Sequence, residues 1–152
     1  MQTYLISAVL AFVAIPAFSM KSSTMIRPLS SPYYGISSSK TNDHAVLNSY
    51  DFLKFEVVPG LEGVTTVSFK VLGTNKYLRH ANFIMRLSKW DSSELFQEDA
   101  SFRLLENCPN GYMIQSLNYP NLAVKFDGKA LTIADMPGHP SNDFCWIFTS
   151  HW

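Results

Sequence analysis

The feature that most restricts this chain is an internal repeat. Tyr77-Leu78-Arg79-His80 aligns with Ala123-Val124-Lys125-Phe126, a shift of 46 (77 to 123), and Asp99-Ala100-Ser101-Phe102 aligns with Asp143-Phe144-Cys145-Trp146, a shift of 44 (99 to 143). Ser68-Phe69-Lys70 matches Met113-Ile114-Gln115 in the same order. A weaker copy lies upstream, where Tyr34-Gly35-Ile36-Ser37 precedes residues 51–55 and leads into Val57-Val58-Pro59-Gly60-Leu61. Three copies in 152 residues call for a fold made of three like units sharing one centre.

Each copy is written as strands. Short β-branched and aromatic runs occur at 52–58 (FLKFEVV), 65–72 (TTVSFKVL), 84–87 (IMRL), 101–105 (SFRLL), 112–117 (YMIQSL), 122–126 (LAVKF), 130–134 (ALTIA) and 144–148 (FCWIF). Turn residues separate them at Pro59-Gly60, Asn75-Lys76, Pro109-Asn110-Gly111, Tyr119-Pro120-Asn121 and Asp127-Gly128. The intervals are too brief for helices, and helical periodicity is nearly absent. The expected fold is therefore all-β, a β-trefoil of three repeats in which the middle copy is intact and the outer two are degenerate. Each copy would give two strands to a barrel and two to a hairpin cap, with Phe55, Phe69, Phe102 and Trp146 among the side chains filling the centre.

Composition agrees with one compact domain, since 47% of residues are hydrophobic and only 16% charged. Twelve basic and twelve acidic residues give zero formal charge, so nothing marks the chain for nucleic acid or an anionic membrane. Residues 4–18 carry no charge and lead to the small residues Ala17 and Ser19, which predicts a signal peptide at 1–19 cut after Ser19. The competing reading, an uncleaved anchor, meets an apolar run shorter than the roughly 20 residues that span a bilayer. The expected organisation is a signal peptide at 1–19, an N-terminal segment at 20–30 and the trefoil at 31–152, in a secreted, extracellular protein free of the membrane after cleavage.

In an oxidising compartment Cys108 and Cys145 are candidates for one disulfide, with two buried thiols as the alternative, because sequence alone does not bring their Cα atoms within roughly 7 Å. His44, His80, His139 and His151 are scattered and each cysteine stands alone, so no zinc-type spacing exists and neither metal nor cofactor is expected. There is no Asn-x-Ser/Thr sequon.

The run from Phe55-Glu56-Val57-Val58-Pro59-Gly60-Leu61 through Val67-Ser68-Phe69, Tyr77-Leu78-Arg79-His80-Ala81-Asn82-Phe83 and Phe96-Gln97-Glu98-Asp99-Ala100-Ser101-Phe102 resembles the arabinose-binding domain of α-L-arabinofuranosidase B, carbohydrate-binding module family 42. The likeness is strongest in the middle copy. It implies a β-trefoil with shallow pockets, at most one per repeat, that hold arabinofuranose side chains of arabinoxylan or related glycans in the setting of L-arabinose metabolism. The family's motif histidine and the aspartate before the final strand take the sugar hydroxyls, which points here to His80 and Asp99, with Asn82 as a further polar contact and Tyr77 and Phe83 as walls. The chemistry suits a neutral polyol: a carboxylate accepts from adjacent hydroxyls, imidazole offers one donor and one acceptor, and an aromatic face covers C–H groups.

The outer copies depart from the motif. Lys125-Phe126 replaces Arg-His in the last one, and the distance to its aspartate is 17 residues (126 to 143) against 19 (80 to 99), leaving Asp143 and Asn142 as a weaker second pocket. In the first copy Ser37 stands where histidine would, and Asp51 aligns only after a slip of one residue. A structural reading stays open at each site: His80 and Asp99 could bond across a hairpin junction, Arg79 could pair with Glu98, Tyr77 and Phe83 could be packing, and Asp143 with Asn142 could form a turn.

Hydrolysis of a glycoside needs two carboxyl groups about 5 to 10 Å apart. Asp91, Glu94, Glu98 and Asp99 lie together on what reads as one solvated loop, no nucleophile elbow, phosphate loop or metal motif occurs, and the resembled family keeps catalysis on a separate domain for which 152 residues leave no room. The expectation is a non-enzymatic, lectin-like module with one functional pocket. The alternative is an extracellular matrix or interaction and signalling protein on a trefoil whose sugar sites have decayed.

Overall fold

A computed structural model of the protein describes residues 23–150 apart from Lys129 and Pro140; the expected signal peptide at 1–19 lies outside the described residues. Twelve strands run along the described chain, four to each repeat: β1 (Ser23–Pro28), β2 (Gly35–Ser38), β3 (Ala45–Asn48) and β4 (Phe55–Pro59); β5 (Val67–Val71), β6 (Lys76–Ala81), β7 (Ile84–Lys89) and β8 (Phe102–Cys108); β9 (Gly111–Ser116), β10 (Leu122–Phe126), β11 (Leu131–Asp135) and β12 (Trp146–Thr149). A short helix α1 (Glu94–Asp99) precedes β8, and a 3-10 turn at Asn142–Phe144 takes the same place before β12.

The outer strands of the repeats close on themselves. β1 pairs with β4, β4 with β5, β5 with β8, β8 with β9, β9 with β12, and β12 returns to β1 in a register running from Met25↔Thr149 to Pro28↔Trp146. This six-stranded barrel has no free edge. The inner strands form the hairpins β2–β3, β6–β7 and β10–β11, joined to one another by the bridges Thr132↔Ile84 and His44↔Arg86. The architecture is the expected β-trefoil.

The threefold pattern is carried by buried side chains. Phe55, Phe102 and Trp146 each open the last strand of a repeat, and Ile26, Phe69 and Ile114 occupy matching places in the first strands; all six are fully buried in one core cluster. The Phe69 and Phe102 ring centroids lie 5.8 Å apart. Trp146 also donates its indole N–H to the Val124 carbonyl at 3.0 Å, so its polar edge is satisfied at the barrel centre.

Three local features differ from the sequence reading. The segment at 20–30 was set apart from the trefoil, yet β1 lies within it and is a full barrel strand, with Ile26 in the core. Its mixture of Met, Pro and Arg has no clear alternation, so only pairing with β4 and β12 defines it as a strand. Strand 65–72 begins at Val67 because Thr65 holds a positive φ of 62°, which interrupts the extended backbone. Of the acidic residues expected on one loop, Glu94, Glu98 and Asp99 lie on α1, six residues long and too short to show a periodicity, and Asp91 stays ahead of it. Ser93 caps it, its Oγ accepting from the Phe96 N–H at 3.3 Å.

Cys108, at the end of β8, is bonded to Cys145, just ahead of β12, with Cα atoms 5.8 Å apart. The disulfide clips the third repeat shut. Gly111 starts that repeat under a close ceiling, since a Cβ there would meet the Trp146 carbonyl oxygen at 2.6 Å.

Candidate functional site

The middle repeat brings three elements together: the β6–β7 turn, the C-terminal end of α1, and the loop between β9 and β10 that belongs to the next repeat. The hairpin register pairs Ala81 with Ile84 and leaves Asn82 and Phe83 as a two-residue turn, both in the left-handed region with φ of 52° and 62°. This is the primed turn favoured between twisted strands. Asparagine tolerates that conformation, whereas phenylalanine in place of the usual glycine costs about 1–2 kcal/mol. The strain holds an aromatic ring out at the surface, 58% exposed, rather than inside the fold.

Alternation along β6 turns Leu78 and His80 inward, and His80 is 3% exposed. On α1 the three-residue spacing of Phe96 and Asp99 puts both on the buried side, with Asp99 6% exposed. The third element supplies Ser116, Asn118 and Tyr119. Asn118 donates from Nδ2 to Asp99 Oδ1 at 2.9 Å and presents its Oδ1 to His80 Nε2 at 3.0 Å, while Ser116 Oγ lies 3.1 Å from the same nitrogen and donates to Asn118 Oδ1 at 3.0 Å. His80 Nε2 and Asp99 Oδ1 are 3.6 Å apart.

This chain of contacts sets the imidazole tautomer. A carboxylate only accepts, so the amide nitrogen of Asn118 must face Asp99 and its oxygen must face His80; Nε2 therefore carries the hydrogen and Nδ1 is a bare acceptor. Among the described residues nothing bonds to His80 Nδ1 or Asp99 Oδ2, and neither is among the fully enclosed unpaired atoms. Each residue thus keeps one acceptor that the protein does not fill, and both residues line the same cavity. Burial lowers the His80 pKa from its ordinary 6.5, against the opposing pull of Asp99 and the Asn118 hydrogen bond, and Arg79 lowers it further. The ring is neutral at neutral pH, as an acceptor Nδ1 requires.

The cavity over these groups measures about 240 Å³ and is lined by Arg79, His80, Ala81, Asn82, Phe83, Leu95, Asp99 and Tyr119. Phe83 and Tyr119 form an aromatic wall with centroids 6.2 Å apart, and Tyr119 meets the His80 ring edge-on at 5.7 Å. Chemically, such an arrangement can accept hydrogen bonds from hydroxyl groups and cover C–H groups with aromatic carbon. Among the described residues Asp99 is the only carboxylate lining the cavity, and two carboxyl groups of the kind a glycosidase uses do not meet there.

Of the residues singled out from sequence, the structure gathers His80, Asp99, Asn82 and Phe83 here. Tyr77 is not a wall: it lies behind the site, edge-on to Phe96 at 6.4 Å, and supports α1. Arg79 does not pair with Glu98; its guanidinium lies over the Phe96 ring, 5.2 Å from the centroid. Asn142 and Asp143 sit on the 3-10 turn, where the Asp143 N–H is bonded to Ser141 Oγ at 3.4 Å and Asn142 is exposed. The larger cavity on that side, about 490 Å³, is lined by Phe126 at the position of His80 and by Tyr34 and His44, without Asn142 or Asp143. Ser116, Asn118 and Tyr119 escaped the sequence reading because they lie in the following repeat and read as a strand end and turn. Among the described residues no three His, Cys, Asp or Glu side chains gather as a metal site, and no helix is long and apolar enough to cross a membrane.

A closed trefoil with a shallow pocket of open acceptors beneath aromatic rings defines a carbohydrate-binding domain. The chain belongs to the alpha-L-arabinofuranosidase B (ABFB) domain family, whose model matches residues 31–147. This is the non-catalytic binding domain. No curated protein matches the chain. Among solved structures, an arabinofuranosidase complexed with arabinofuranosyl-alpha-1,2-xylobiose has a TM-score of 0.74 at 21% identity, over 88% of this chain and 32% of that one. The chain thus spans about a third of that enzyme. The BEL β-trefoil follows the fold with a TM-score of 0.66 at 19% identity, over 86% of this chain and 93% of that one, and the designed ThreeFoil with 0.65 at 10%, over 83% and 96%.

Proposed function

We propose that this protein is a secreted sugar-binding module whose middle repeat holds a furanose, with arabinofuranose on a glycan as the fitting ligand, through His80 and Asp99. The observation that carries this reading is the pair of open acceptors, His80 Nδ1 and Asp99 Oδ2, held by Asn118 under Phe83 and Tyr119. A purely structural histidine and aspartate would have their bonding positions filled by the protein; these two keep one each for a partner. The strained turn at Phe83 supports the same reading, because the strain serves only to hold an aromatic ring at the pocket's edge. Phe126 in the equivalent place of the third repeat supports a single working pocket, and the uncharged run at residues 4–18 together with the Cys108–Cys145 disulfide supports export.

The test is a glycan array followed by titration of arabinofuranosyl-alpha-1,2-xylobiose into wild-type protein and Asp99→Ala, with circular dichroism to show that the variant is folded. Weak binding by wild type, as suits a site this small, and at least tenfold weaker binding by the variant are expected. Equal binding by both proteins, or none by wild type, would refute the assignment.

A further inference from the structure

We infer that the pocket extends to a negatively charged group: Arg79 forms an anion subsite that favours a glycan carrying a carboxylate, such as a hexuronic acid, next to the sugar held by His80 and Asp99. The inference rests on the function proposed above and adds the charge class of the ligand.

The first observation is the state of the guanidinium. Arg79 lines the cavity, and among the described residues none of its five N–H donors has an acceptor and no carboxylate pairs with it. Its Nε is fully enclosed, whereas the terminal nitrogens reach solvent. The guanidinium carbon lies over the ring of Phe96, itself buried, 5.2 Å from the centroid, so an aromatic face supports the group at the cavity.

The second observation is independent of the pocket. The β6–β7 register sets Arg79 directly opposite Arg86 on the outer face of the hairpin. Like charges in that relation destabilise a sheet. Arg86 is compensated by Asp43 at 2.7 Å, but Arg79 has no such partner although Glu98 lies on the adjacent helix. An uncompensated cation beside a second cation, fixed on an aromatic face at the rim of a sugar pocket, is a place for an anion from outside. The planar fork fits a carboxylate with two parallel bonds.

The neighbouring carboxylate does not oppose this assignment. Asp99 is tied to Asn118 and turned toward His80, on the inward side of the pocket. A ligand carboxylate at Arg79 would lie on the outer side, near Leu95, which is 61% exposed.

The test compares two probes, arabinofuranosyl-alpha-1,2-xylobiose and the same oligosaccharide bearing one hexuronic acid on the adjacent backbone sugar, titrated into the full-length mature protein. At low ionic strength the acidic probe is expected to bind about fivefold tighter, the scale of one partly exposed ion pair. That ratio should fall toward one as sodium chloride is raised, and should be one in Arg79→Gln whatever the absolute affinities. The wild-type salt series carries the test by itself if the variant does not fold. If the neutral probe binds and the acidic one gains nothing, the anion subsite is refuted and the furanose pocket stands. If neither probe binds, both are refuted.

Discussion

Replacing Phe83 by glycine and, separately, by alanine tests whether the β6–β7 turn trades stability for an aromatic ring. Removing the ring costs both variants the same contact. The side chain is 58% exposed, so about two-fifths of a full phenylalanine burial is lost, roughly 1 kcal/mol. The backbone then separates them. Alanine keeps the cost of a left-handed conformation at φ 62°, whereas glycine is relieved of about 1–2 kcal/mol. Glycine gives back about 0.4–1 kcal/mol through the greater freedom of its unfolded chain. Phe83→Gly should therefore be more stable than Phe83→Ala by about 0.5–1 kcal/mol and lie within about 1 kcal/mol of wild type. At an ordinary strand position the order is reversed, since glycine is there the weaker residue by about 0.5–1 kcal/mol. Urea denaturation at fixed pH measures both differences, and titration of the furanoside probe measures binding, which should fall in both variants. A glycine variant less stable than the alanine variant would show that the turn is not strained and would remove the argument that Phe83 is held outward for a ligand.

Three further outcomes follow from the same contacts. Burial holds the His80 pKa below 6.5, so on acidification the unfolded chain takes up this proton first. The stability His80 provides is therefore full above pH 6.5 and lost as the pH falls through the folded-state value, and His80→Phe, the residue type at 126, should flatten that part of a stability-against-pH curve. Reducing the Cys108–Cys145 bond, or replacing both residues by serine, frees a loop of 37 residues and should cost about 4 kcal/mol, read as a lower urea midpoint with reductant than without. Gly111→Ala drives a Cβ onto the Trp146 carbonyl at 2.6 Å, a backbone atom at the barrel closure, and should lower the melting temperature by several degrees while sparing the pocket, which lies past the other end of β9.

Much of the fold was legible because trefoil symmetry repeats its constraints. Phe55, Phe102 and Trp146 mark the same place three times, and turn residues fall between strands at matching intervals. The sequence shows no strand run at β1, at the β2–β3 hairpin or at β6: β1 and the hairpin belong to the copy where the repeat is faintest, β1 is defined by partners far along the chain, and β6 stands out as a motif rather than as an apolar run. α1 was illegible for a different reason. Six residues make fewer than two turns, so Phe96 and Asp99 show no periodicity, and their shared burial follows from what β6 and the β9–β10 loop place against them.

The site divides in the same way. Sequence alone placed His80 at a strand end and Asp99 before the next barrel strand, and it marked their residue types as those that grip hydroxyls, because a repeated motif keeps such positions in register. Only the tertiary structure decided that they meet, that Asn118 from the following repeat sets the imidazole tautomer, and that Tyr119, not Tyr77, lines the cavity. Those facts depend on how one repeat leans on the next, through contacts 19 to 38 residues apart in sequence. A local pattern specifies what a strand or turn can be; the closing of the barrel selects which of its side chains face one another.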